Sequence, residues 1–175
     1  MARHPAMTVT ALRTVICAAF GVAAIALPVA MTPPVRLVYN ATASAPLGWY
    51  VVVPVQEAGV GDVVLAHLPS SAARFADERH YLPESVPILK RVGAVAGQWV
   101  CVRNGVLTVD RELPVRLLER DGFGRPLTPW RGCHALKVDE LFLLSHDSPA
   151  SFDSRYFGPI PRRLVIGRAV ALWTW

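Results

Sequence analysis

Two side chains in this 175-residue chain have types and settings suited to acyl-transfer chemistry. Ser44 lies among small residues in Asn40-Ala41-Thr42-Ala43-Ser44-Ala45-Pro46-Leu47-Gly48-Trp49-Tyr50. Its hydroxyl is uncrowded, and Pro46 and Gly48 behind it hold the backbone in a turn. The same pattern also suits an Asx or Ser turn that merely leads into a strand. Lys90 lies in Pro87-Ile88-Leu89-Lys90-Arg91-Val92. Strand side chains alternate between faces, so Lys90 shares a face with Ile88 and Val92, and Arg91 points away with Leu89. Aliphatic neighbours strip water from an ammonium and lower its pKa, and an amine neutral near pH 7 can act as a general base. The alternative is snorkelling, with the stem packed and the charge in water. Lysine is scarce here: of 18 basic residues only Lys90 and Lys137 are Lys.

A third segment runs from Ser145 to Ile160 as SHDSPASFDSRYFGPI. Asp153 and Arg155 can form a charge-assisted, bidentate pair that fixes a loop, and Ser151 can hydrogen-bond a neighbouring amine. A plain surface loop has the same composition. A histidine mechanism competes, because His67, His80, His134 or His146 could be oriented by Asp62, Asp147 or Asp153, and such triads are recognised by geometry and not by order. No G-x-S-x-G elbow accompanies them. His146-Asp147 reads more simply as a turn at a strand end.

No H-E-x-x-H, no clustered Cys and His, no G-x-G-x-x-G and no G-K-[ST] is present, so neither a metal nor a cofactor is expected. The net charge of +5 comes from dispersed arginines without a basic stripe or stacking platform, which argues against a nucleic-acid partner. Cys17, Cys101 and Cys133 do not make a knuckle; Cys101 and Cys133 could pair in an oxidising compartment, and two buried free thiols would look the same.

The elements that must hold these residues are short. Fifteen Pro and twelve Gly argue against a helical bundle and suit a sheet-rich fold with many turns. Strands are expected at 48–55, 63–68, 88–95, 99–102, 106–109, 141–144 and 165–175, with a short helix over 71–78, a turn over 110–113 and an irregular excursion over 119–134. Asn104-Gly105 is a strong hairpin signal, since Asn-Gly accepts the positive φ of a type I′ turn. Without helices of useful length between the strands, a mainly β, barrel-like domain is the expected class.

No charge interrupts the sequence between Arg13 and Arg36, and Val15 to Met31 carries no side chain more polar than Cys. A membrane-spanning helix needs about 20 apolar residues, so 14–35 is expected to be a transmembrane anchor after a short cytoplasmic segment, 1–13, with 36–175 as the catalytic domain. Arg3 and Arg13 put the amino terminus inside by the positive-inside rule. A cleaved signal peptide and a buried core helix are the alternatives.

Taken in order, the apolar segment, N-x-T-x-S-x-P-x-G-x-Y, P-I-L-K-R-V and S-F-D-S-R-Y-F-G-P-I resemble the S26 serine peptidases, and within them the TraF-type branch of conjugative transfer systems. The resemblance implies a membrane-anchored, antiparallel β domain of signal-peptidase type. It implies Ser44 as nucleophile, Lys90 as general base, Thr42 as an oxyanion donor beside the Ser44 N–H, Ser151 as the serine that orients the lysine amine, and Asp153 with Arg155 as the brace of the site. General signal peptidases carry Gly-Asp-Asn near the last segment where this chain has Ser145-His146-Asp147, which leaves the role of Asp147 open. The implied partner is a pilin-like precursor with a membrane-embedded segment, cut by hydrolysis or cyclised, beside a lipid bilayer and other transfer components. The implied site of action is the extracytoplasmic face of the inner membrane. Alternatives are a general type I signal peptidase and a non-catalytic component of a transfer or secretion apparatus.

Overall fold

The computed structural model describes residues 9–30, 36–146 and 148–175. In chain order the elements are α1 (Val9–Ala30), β1 (Leu37–Asn40), β2 (Gly48–Val53), β3 (Val63–Ala66), α2 (Ser70–Glu78), β4 (Ile88–Ala94), β5 (Trp99–Arg103), β6 (Val106–Val109), β7 (Glu112–Arg116), β8 (Gly132–Ala135), β9 (Glu140–Leu143), α3 (Ser154–Phe157), β10 (Ile160–Pro161) and β11 (Val165–Thr174). Two compact units result, Met1–Pro34 and Val35–Trp175.

The second unit is mainly β, in two antiparallel sheets. The larger has the order β1-β2-β11-β3-β4-β9-β10, the smaller β7-β6-β5-β8. Strand β11 lies between the β1–β2 and β3–β4 pairs and hydrogen-bonds to both β2 and β3, so it joins the two pairs into one sheet. Residues 119–131 form the expected excursion, and β5 and β6 join through Asn104 and Gly105, both at positive φ. Cys101 faces Cys133 across β5 and β8, and the two are bonded.

All four edge strands, β1, β7, β8 and β10, were absent from the sequence expectation, with 132–134 of β8 assigned to the excursion. Strand β7 contains Pro114, which reads as a turn but is tolerated on an edge strand, where its missing N–H faces no partner. Strand β1, also an edge, covers Leu37–Asn40, just beyond the expected anchor at 14–35, where no strand was expected. The helix expected at 71–78 starts one residue earlier and buries Ala72, Ala73 and Ala76 against Val64, Ile88, Val92 and Leu141.

The transmembrane anchor is corrected. Among the described residues no helix is long and apolar enough to cross a membrane. Arg13 falls inside α1, about one turn from its start. The membrane-anchored fold and the single-pass placement in the inner membrane therefore do not stand. Residues 1–8 and 31–35, part of the expected cytoplasmic segment and anchor, lie outside the described residues, as does Asp147.

Candidate active site

Lys90 sits on β4, between β3 and β9 and opposite Val64. A central strand covered on both faces buries most of its length, and Ile88, Leu89 and Lys90 are consecutive buried residues. Lys90 is 7% exposed, which rules out snorkelling here. Its Nζ donates to Ser151 Oγ at 2.5 Å. Burial lowers the ammonium from 10.5 to about 8, with the Asp153 carboxylate opposing that shift and the Arg155 guanidinium adding to it.

Ser44 lies in the tight connection between β1 and β2, which pair as a hairpin with Asn40 opposite Gly48. Asn40, 5% exposed, is the hub of that turn. Its Nδ2 donates to the carbonyls of Thr42, Ala45 and Pro46, at 2.9, 3.0 and 3.0 Å. Its Oδ1 accepts from the Thr42 N–H and the Thr42 hydroxyl. Tyr50 Oη donates to the Pro46 carbonyl at 2.8 Å, and the Trp175 N–H closes the far side on Leu47 O. At Gly48, with φ +136°, a Cβ would collide with the Trp173 carbonyl, so the turn's exit requires glycine.

These bonds fix the direction of the protons. An amide oxygen cannot donate, so the Thr42 hydroxyl gives its proton to Asn40. In the 2.9 Å contact between Thr42 and Ser44, Ser44 is therefore the donor, and it shares its proton with Leu89 O at 3.3 Å. Leu89 directly precedes Lys90. The Ser44 hydroxyl thus abuts β4 beside the amine, but no hydrogen bond joins Ser44 and Lys90 among the described residues. No histidine is among the partners of Ser44; His134 instead binds Glu140 at 2.6 Å.

The third segment forms a buried polar cluster. Asp153 and Arg155 are fully buried and paired through Nη2–Oδ2 and Nε–Oδ1, both 2.7 Å. Arg155 also donates to the carbonyls of Ser148, Pro149 and Ser151, so the polar edge of the guanidinium is engaged. Asp153 caps α3 through the Arg155 N–H and accepts the Ser145 N–H at 3.0 Å. The Ser145 hydroxyl in turn donates to the Ser44 carbonyl at 2.8 Å. A Cβ on Gly93 would fall 2.5 Å from Leu144 Cβ, so glycine there lets β4 and the residue before Ser145 approach closely.

The fold thus gathers Thr42, Ser44, Lys90, Ser151, Asp153 and Arg155 into one neighbourhood, with the first two hydrogen-bonded together and the others forming a second network. Sequence reasoning missed Asn40 and Ser145. Asn40 had a signal, an Asx residue entering a turn with Thr two positions on. Ser145 had none, because its partner lies 101 residues away.

Comparison with known proteins bears on the family. The profile described as "Signal peptidase, peptidase S26" matches residues 9–175. A probable conjugal transfer protein TraF of Sinorhizobium fredii is 41% identical over 145 residues, covering 78% of this chain and 76% of that protein. A plasmid transfer protein TraF of Escherichia coli is 32% identical over 149 residues, covering 78% and 82% respectively. A signal peptidase I structure from Enterococcus faecalis aligns at 16% identity with a TM-score of 0.40, over 65% of this chain and 97% of that one.

Proposed function

From a chain that belongs to peptidase family S26, in its TraF-type conjugal transfer branch, we propose a serine endopeptidase that uses Ser44 and Lys90 to cut a pilin-like precursor of a conjugative system. The observation that carries this reading is the buried Lys90 amine, held on Ser151, on the strand whose preceding carbonyl already receives the Ser44 hydroxyl.

The chemistry follows from those positions. A small rotation of the Ser44 hydroxyl away from Leu89 O and Thr42 directs its proton to the neutral Lys90 amine. Oγ attacks the scissile carbonyl, and the Ser44 N–H faces the developing oxyanion, where a preset donor is worth about 3–4 kcal/mol. The Thr42 hydroxyl can add a second donor once its proton leaves Asn40. The C–N bond breaks as the Lys90 ammonium returns the proton to the leaving amine, which leaves an ester on Ser44. Water activated by Lys90 then releases the acid; the substrate's own amino terminus in its place gives a cyclic product.

The test is co-expression with candidate precursors, read by product mass. Ser44→Ala and Lys90→Ala, each folded, are expected to abolish processing, and wild-type kcat/KM is expected to rise with pH through about 8 and level off as the amine loses its proton. Continued cleavage in either variant sinks the reading.

A further inference from the structure

We propose that Ser145 is a positioning residue for the nucleophile, tying the Ser44 turn to the buried Asp153–Arg155 pair through its hydroxyl and its N–H. The inference rests on the peptidase reading above and adds a residue to that site.

Ser145 is 3% exposed and is held on both sides before its side chain is considered. The Leu144 N–H donates to Arg91 O, next to Lys90 on β4, and the Ser145 N–H donates to Asp153 Oδ2. A backbone fixed at two successive residues gives the side chain little freedom, and its hydroxyl lands on the carbonyl of Ser44. That bond fixes the plane of the peptide leaving residue 44, and so helps hold the backbone from which the Ser44 N–H and Oγ project. Those are the two groups that must meet one carbonyl during attack.

The Lys90 amine is referred to the same pair by a parallel route. Lys90 donates to Ser151, and the Ser151 carbonyl accepts from Arg155 Nη2 at 3.2 Å. Asp153–Arg155 is thus the common reference for both reacting groups, Ser151 carrying the base and Ser145 the nucleophile. Within the turn itself, Asn40 holds Thr42, Ala45 and Pro46 but does not touch residue 44. The orientation of the Ser44 carbonyl is left to Ser145.

The test uses the full chain and an internally quenched peptide with small residues before the scissile bond. For Ser145→Ala, kcat is expected to fall about 10- to 100-fold, as for an ångström-scale misplacement of a reacting group, with KM little changed. The pH midpoint should stay where wild type has it, because the surroundings of Lys90 are intact, whereas Ser151→Ala should move it. Ser145→Thr, which keeps a hydroxyl, should recover part of the lost kcat. Amide exchange over 41–47 should quicken in Ser145→Ala while that of α2 stays as in wild type. Wild-type kcat in Ser145→Ala, a shifted midpoint in that variant, or a Thr variant no better than Ala would each overturn the proposal. Cleavage by Ser44→Ala would instead bring down the peptidase reading and this inference together, so the two failures are told apart.

Discussion

Two Asp–Arg arrangements hold irregular segments of this protein, and they do so in different solvents. Asp121, in the excursion between β7 and β8, accepts the N–H groups of Phe123 and Arg125, the Arg125 Nε and the Tyr81 hydroxyl, with Arg79 at 3.5 Å. Burial alone would raise its carboxyl, but those hydrogen bonds together hold it well below the usual carboxylate range. Asp153 makes a similar set of bonds, to two N–H groups and twice to one guanidinium. The difference lies around them. The Arg125 side chain is 35% exposed and can turn to water, whereas the side chains of Asp153 and Arg155 are at 0%. A partly solvated pair loses little when one member goes. A desolvated one leaves a bare charge in the interior. The Asp121 side chain is itself covered, at 5%, but its guanidinium partner reaches water and the set shapes a loop, whereas the fully buried set fixes where Lys90, Ser151 and Ser145 stand.

That contrast can be broken by substitution. The largest expected effect is at the buried pair: Asp153→Ala or Arg155→Ala should each cost about 3–5 kcal/mol in denaturant unfolding, because the remaining charge has no partner. A loss no greater than at Asp121 would erase the distinction.

Lys90 comes next. The unfolded chain holds its proton up to about 10.4, the folded chain releases it near 8, so between those values the unfolded state binds more protons and stability rises with pH. The cost of burying the charged form is fully present below about 8 and gone above the unfolded value. Lys90→Met should therefore show its stability relative to wild type larger at pH 7 than at pH 10.5 by about 3 kcal/mol. A difference independent of pH would mean that the amine is not desolvated.

The smallest effect is at the surface. Asp121→Ala should lower the melting temperature less than Asp153→Ala, in a manner that weakens with added salt, and leave precursor cleavage at the wild-type level. Lost cleavage would show that the excursion belongs to the site.

The legible parts of the fold were those with local periodicity. The strand carrying Lys90 is apolar on both faces, Asn104-Gly105 marks its own turn, and the Ala-rich run of α2 is short but helical. Strand β7 was hidden by Pro114, and β1 is only four residues long, too short to show a period of its own. The Cys101–Cys133 bond needed the placement of β8, which only pairing with β5 supplies. The residues gathered at the site were all visible as types in motifs. What the sequence could not carry was direction. Which way the Thr42 proton points depends on Asn40, and what holds the Ser44 carbonyl depends on a contact across 101 residues. The apolar run near the amino terminus was read as a span from composition alone, and among the described residues no helix is long and apolar enough to cross a membrane.

The position of β11 between β2 and β3 has a consequence for the newborn chain. The hairpin with Ser44 and the hairpin with Lys90 emerge from the ribosome early, yet the strand that welds them is translated last. Long-range pairing of this kind is slow to form. Until β11 is made and paired, the two strand pairs share no ladder, and the Ser44 hydroxyl and the Lys90 amine lie on segments not yet joined in one sheet.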